Sequence, residues 1–284
     1  MKKLIAYILF LFLCFRADAK IYNFTNDPVD VVIPCTDKDL DTLNLCIEGI
    51  RNNCSQVRRI IVISDRPLTD KAEWFDEKQF PFDKTSVAYY LLGCNEQKAN
   101  EYLSAPKPRV GWYIQQLYKL YASYVIPGIS TNVLHLDSDT IFLNPVSFVD
   151  PSGGGLYNPG TEYHIPYFDH INKVLPGLTR TYREYSGISH HMLLQKDALD
   201  ELFQLVESHH NLDLWKVYCL CVDQKDLFLS GAASDELYFN FVFPRTNQVK
   251  LRFLKWENIS SLRNIFRYQR AGYHYVSCHS YSRS

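Results

Sequence analysis

The sequence predicts an α/β protein built on a mostly parallel central sheet flanked by helices, and two observations carry that expectation. A strand, helix, strand series opens the chain between Val29 and Asp65, and strands joined by a helical crossover lie parallel. Further on, "GWYIQQLYKLYASYVI" repeats apolar residues at three and four and delivers the chain to a second apolar run, "TNVLHL", that ends in two aspartates. At 284 residues, 46% hydrophobic and 21% charged, the chain is ordinary globular material with enough apolar surface for one large domain. Its formal net charge of -1 leaves no electrostatic footprint for nucleic acid.

Residues 1 to 19 set two lysines ahead of an apolar stretch from Leu4 to Phe15 and close on Ala17-Asp18-Ala19, the small-x-small pattern of a signal-peptidase site. They read as a cleaved signal peptide, which leaves 20 to 284 as a single domain exported to a periplasm, to the medium or to a secretory lumen. An uncleaved anchor is the alternative, but this stretch falls short of the roughly 20 apolar residues that span a bilayer, so no stable membrane span is expected. Without Cys14 seven cysteines remain, an odd number that leaves at least one free thiol or an intermolecular bond. Cys219-x-Cys221 has no second Cys or His pair nearby and reads as buried thiols or a disulfide, not as a metal clip. Sequons at Asn23, Asn53 and Asn258 matter only in a host that glycosylates its exported proteins.

In chain order, "VDVVIPCT" from Val29 is a nearly continuous apolar run that suits a strand buried on both faces. "DKDLDTLNLCIEGIRNNC" places Leu40, Leu43, Cys46, Ile47 and Ile50 at helical spacing, with Asp37, Asp39 and Asp41 near its start, where acids cap a helix and complement its dipole. "VRRIIVISDRP" is a second buried strand ending at Asp65. "TSVAYYLL" is expected to be a third strand, followed by a loop containing Pro106 and Pro108. Beyond Pro151 the pattern grows more irregular: "EYSGISHHMLLQ" reads as a strand, "KDALDELFQLVESHH" as an amphipathic helix, "SDELYFNFVFP" as a helix with Ser234 as N-cap, and "GYHYVSCHSY" as a late strand.

Asp137 and Asp139 carry the chemistry. Residues i and i+2 of a strand share a face, so both carboxylates can converge on one point at the strand's end. Desolvating them together is costly unless a cation lies between them, and a hard divalent ion is the natural partner. Such an ion keeps open positions for water and phosphate oxygens, which suits the departure of a phosphate or diphosphate leaving group. Phosphoryl transfer and glycosyl transfer both fit. The haloacid dehalogenase pattern fits less well, since it wants Thr or Val four residues after the first Asp, where this chain has Ile141. His190 and His191 would point to opposite faces of a strand, so at most one can face the crevice; the other reading is a packed histidine. Arg109 and Lys119 are candidates for phosphate contact, although a lysine on an amphipathic helix is usually solvated, and that reading is favoured for Lys119.

In their order, "DVVIPCTDKD", "IIVISD", "GWYIQQLYKL", "HLDSDTIFLNP", "SGISHHM", "SDELYFNF" and "CHSY" resemble the nucleotide-diphospho-sugar transferases of GT-A fold, most closely a bacterial-type family with a Gly-Trp-Tyr-x-Gln-Gln helix ahead of its Asp-x-Asp. The resemblance spans about residues 29 to 282 and implies a Rossmann-like sheet with a more irregular acceptor half. It implies that Pro34, Cys35, Thr36 and Asp65 cradle the nucleotide, that Asp137 and Asp139 bind Mn²⁺ or Mg²⁺ and the ribose-diphosphate, and that His279 completes the metal site, with His274 as second choice. Glu236, slightly ahead of Asp235, is the candidate base for an inverting reaction. The activity so implied is metal-dependent transfer of a sugar from a nucleoside diphosphate, foremost UDP, to a glycan or protein acceptor. Two alternatives stay open: a carbohydrate-binding protein of the same fold without turnover, and a secreted glycoside hydrolase using two carboxylates without nucleotide or metal.

Overall fold

The computed structural model describes residues 19 to 283, so the expected signal peptide, apart from Ala19, and Cys14 lie outside the described residues. Among the described residues no helix is long and apolar enough to cross a membrane.

The chain opens with β1 (Val29–Pro34), buried along its whole length, and a 3₁₀ turn at Asp37–Asp39 that leads into α1 (Leu40–Asn53). Leu43, Cys46, Ile47 and Ile50 form the buried face of α1, as their spacing requires. Then come β2 (Val57–Ser64) and β3 (Glu73–Asp76). The expected third strand at "TSVAYYLL" is instead a helix, α2 (Lys84–Leu91). The cause is local: Asp83 accepts from the Ser86 N–H at 2.8 Å while its own N–H donates to Ser86 Oγ at 2.9 Å, a reciprocal capping box that a short apolar run cannot override. After α3 (Glu96–Ser104), α4 (Val110–Val125) crosses the sheet and returns the chain to β4 (Asn132–Leu136).

The strand order is β3-β2-β1-β4, all parallel, with β7 (His191–Gln195) closing the far edge antiparallel to β4. The chain therefore winds outward from β1 through β2 to β3 and then reverses to place β4 on β1's other side. That reversal opens a crevice beyond the carboxyl ends of β1 and β4, where ligands bind in open α/β sheets. Cys35 to Asp39 and Asp137 to Asp139 are the residues that emerge there.

The second half is built from shorter pieces, in keeping with its weaker pattern. β5 (Thr140–Phe142), β6 (Leu156–Tyr157) and α5 (Ile165–Val174) precede β7; α6 (Lys196–His210), α7 (Leu214–Leu220), α8 (Ser234–Val242), β8 (Lys250–Leu251), β9 (Trp256–Asn258), α9 (Ile265–Arg270) and β10 (Tyr275–Ser277) follow it. β5, β10 and β9 form a small second sheet, with β10 antiparallel to β5. Helix α1 lies so close to β5 that a Cβ on Gly49 would stand 2.8 Å from the Phe142 carbonyl oxygen, which leaves room only for glycine. Ser234 is not the N-cap of α8: Ala233 holds that position, and the Ser234 N–H and Oγ both donate to Gln116 Oε1, at 3.0 and 2.9 Å. All seven cysteines among the described residues are free thiols, Cys219 and Cys221 included. Of the three sequons, Asn53 has its side-chain amide tied to the carbonyls of Gly49 and Phe142.

Candidate active site

β4 is buried throughout, and its end presents Asp137, Ser138 and Asp139 at the crevice. The turn is held by backbone bonds: the Asp137 N–H donates to the His190 carbonyl at 3.0 Å, and the Thr140 N–H to the Asp137 carbonyl at 3.1 Å. The chain then continues into β5, which pairs with β10, so the residue just past Asp139 and those just past β10 are neighbours.

That pairing brings His279 to Asp139. Its Nδ1 lies 3.0 Å from Asp139 Oδ2, while Ser277 Oγ donates to Asp139 Oδ1 at 2.9 Å. Burial works against the Asp139 carboxylate, but the bonds from His279 and Ser277 prevail and hold its pKa below the usual value; Asp139 in turn raises the His279 pKa. The 3.0 Å contact between Asp139 and His279 is a hydrogen bond, so the two side chains would have to turn from each other toward a common point to share a cation. Carboxylate oxygens suit Mn²⁺ and Mg²⁺ alike, and an imidazole nitrogen among them favours the transition metal, Mn²⁺. Among the described residues no three His, Cys, Asp or Glu side chains already close around one point. His274 is at the other end of β10, where its Nδ1 accepts from the Lys255 N–H at 3.0 Å.

Asp137 is held differently. Lys119, on α4, is 3% exposed and donates from Nζ to Asp137 Oδ1 at 3.0 Å, so the solvated reading of Lys119 is corrected. An ammonium can be buried here because Asp137 and Asp235 flank it: burial alone would lower its pKa, but the two carboxylates outweigh that and raise it above the ordinary lysine value. Burial likewise opposes the charged form of Asp235, but the Lys119 ammonium and the hydrogen bond from Ser234 Oγ keep its pKa well below the usual range. His135 Nε2 is 3.1 Å from Asp235 Oδ1, at ion-pair distance but off the direction of a hydrogen bond, and burial lowers its pKa and keeps the ring neutral. Glu236, one residue on, is fully buried; its Oε2 accepts from Asn240 Nδ2 at 2.6 Å and its Oε1 has no hydrogen-bond partner. Burial pushes its pKa up to about 7.

The two histidines separate as alternation requires. His190 is beside His279, with ring centroids 5.2 Å apart, and its Nδ1 has no partner. His191 turns the other way, among Phe142, Phe148 and Tyr275, as a packed histidine.

The proposed nucleotide residues line one cleft of about 380 Å³: Pro34, Cys35, Thr36, Asp65 and Arg109 border it, with Trp112 and Tyr118 from α4. Asp65 is exposed, whereas burial pushes the Cys35 thiol up to about 11 and leaves it a neutral wall. Arg109 donates to Ser230 Oγ at 2.7 Å and stacks over Trp112. The Gly-Trp-Tyr-x-Gln-Gln helix thus grips the 226–234 loop: Trp112 Nε1 donates to the Ala232 carbonyl at 3.0 Å, Tyr113 Oη to that of Asp226 at 3.0 Å, and Gln116 receives the start of α8.

The sequence reading missed Asp39, assigned only to a helix start. Its carboxylate caps nothing and is buried at the crevice, accepting from Ser138 Oγ at 3.0 Å and from Arg283 Nη2 at 2.9 Å. His135, a lone histidine in an apolar strand, and Arg283, four residues past His279, were the available signals.

No family model and no curated protein matches this chain. Among solved structures it is similar to mouse xyloside xylosyltransferase 1 in its apo form, at 10% identity and a TM-score of 0.43, with 90% of this chain and 99% of that one covered. So loose an overlap transfers nothing to this chain, and the architecture rests on its own strand order.

Proposed function

We propose that the protein is a glycosyltransferase that uses a nucleoside diphosphate sugar, foremost a UDP-sugar, with Mn²⁺ or Mg²⁺. The observation that carries the reading is the joining of Asp139 to His279 and of Asp137 to Lys119 at a switch-point crevice, next to a nucleotide-sized cleft. A bound divalent ion would neutralise the charge that grows on the departing diphosphate. Asp139, His279 and Asp137 would hold that ion, and Lys119 orients Asp137 through its hydrogen bond to Oδ1. Trp112 and Tyr118 offer ring faces to a base, and Arg109 a guanidinium to its phosphates. For an inverting reaction Glu236 stands ahead of Asp235 as proton acceptor: its pKa of about 7 suits a general base, whereas Lys119 holds the Asp235 carboxylate well below the usual range. The deciding experiment is hydrolysis of a UDP-sugar panel with Mn²⁺ and with EDTA. Turnover only with metal, lost in Asp139→Asn, supports the reading; cleavage of glycans without nucleotide or metal would replace it with the hydrolase.

A further inference from the structure

We propose that α9 and the residue before its cap form a docking surface for an anionic lipid bilayer. The whole chain is nearly neutral, yet from Arg245 to Arg283 it carries eight Lys or Arg and one acid, Glu257. Lys250 is paired with Asp150 and Arg283 with Asp39. Arg263, Arg267 and Arg270 have no carboxylate partner among the described residues, and all three are exposed. Phe266, Arg267 and Arg270 lie three and four apart and share the outer face of α9, while Ile265 and Tyr268 pack inward on Ile141, Leu143, Ile259, Val276 and Cys278. Phe266 is 47% exposed, with Arg270 over its ring. Like charges one turn apart repel, and a half-exposed aromatic ring leaves apolar surface in water; an anionic interface relieves both, since headgroups neutralise the arginines while the ring enters the acyl boundary. A soluble polyanion would answer the charge but not the phenylalanine.

The surface is braced to the candidate site. Gln269 Nε2 donates to the Leu143 carbonyl at 2.9 Å, and Asn144 Nδ2 to the Gln269 carbonyl at 3.1 Å, at the end of β5 opposite Asp139. Five residues of extended chain separate the two ends, on the order of 17 Å. A docked molecule would hold its crevice at that scale from the headgroups.

Co-sedimentation tests this with vesicles of phosphatidylcholine alone and mixed with phosphatidylglycerol. Wild type and the Arg263→Gln, Arg267→Gln, Arg270→Gln triple variant are compared as full chains, so residues 1 to 19 contribute equally to both. Wild type should partition onto the anionic vesicles in a salt-sensitive way, the triple variant roughly a hundredfold less, and Phe266→Ser should lose several-fold with the salt dependence kept. Equal partitioning of wild type and triple variant, indifference to phosphatidylglycerol, or an unchanged Phe266→Ser would each overturn the proposal. Capture by heparin without vesicle binding would replace the lipid with a soluble polyanion. Unchanged melting of the variants guards against unfolding.

Discussion

Glu236 shows how little a residue's type says about its charge. Its carboxyl is fully buried, and burial lifts its pKa to about 7, so the folded protein keeps a proton that the unfolded chain releases near 4.5. The native state then binds more protons than the unfolded one between those values, and stability falls as pH rises through that window. Glu236→Gln should therefore raise the melting temperature at pH 8 and change it little at pH 5; the full pKa difference corresponds to on the order of 3 kcal/mol. An equal effect at both pH values would remove the titration from the explanation. Lys119 is the converse case, a cation buried because two carboxylates flank it. Lys119→Met leaves Asp235 buried beside a neutral His135 and should cost about 3 to 5 kcal/mol in urea unfolding. Adding Asp235→Asn to that variant should recover part of the loss, since the two sites are coupled through one contact network.

At the scale of elements, α4 does two jobs with two faces. Its apolar face packs on the sheet, while Trp112, Tyr113 and Gln116 hold the loop and helix that carry Asp235. Gln116 Oε1 takes both the N–H and the hydroxyl of Ser234, so it supplies from a neighbouring helix the cap that Ser234 does not supply itself. Gln116→Ala should cost about 1 to 3 kcal/mol, the price of leaving a buried donor unmet. It should also quicken hydrogen exchange at the start of α8 more than in β1. Uniform exchange across both elements would mean that Gln116 fills space without capping.

At the scale of the whole molecule, residues distant in sequence meet at the crevice. Arg283 bonds Asp39 and the Cys278 carbonyl, and His279 bonds Asp139, so residues 278 to 283 close over the turn after β1 and over the end of β4. If Asp139 and His279 hold a divalent ion against a nucleotide, UDP at a hundred times its dissociation constant adds about 2.7 kcal/mol to stability. For a domain of this size that is a rise in melting temperature on the order of 5 to 10 °C. The rise should appear with Mn²⁺ and vanish with EDTA or in Asp139→Asn. Because Asp139 raises the His279 pKa, protons should begin to compete with Mn²⁺ above pH 6.5, and His279→Ala should weaken the metal effect and flatten that dependence. Equal stabilisation by UDP with and without metal would sink the assignment.

The local pattern was enough for β1, β2, β4, α1, α4 and α6, because each is long enough for burial to impose its own period on the sequence. It marked the end of β4, but strand alternation does not place the aspartate pair there: Asp137 and Asp139 lie in the turn after Leu136, one bonded to Lys119 and the other to His279. It was not enough for residues 84 to 91, where a short apolar run fits either period and a capping box decided for helix. Nor did it show that Lys119 is buried, that Asp39 belongs to the crevice, or that His279 and not His274 meets Asp139. Those outcomes depend on which strands become neighbours. β10 lies against β5 and β4 against β1 only in the folded chain, and contacts between residues more than a hundred positions apart leave no period for a sequence to display.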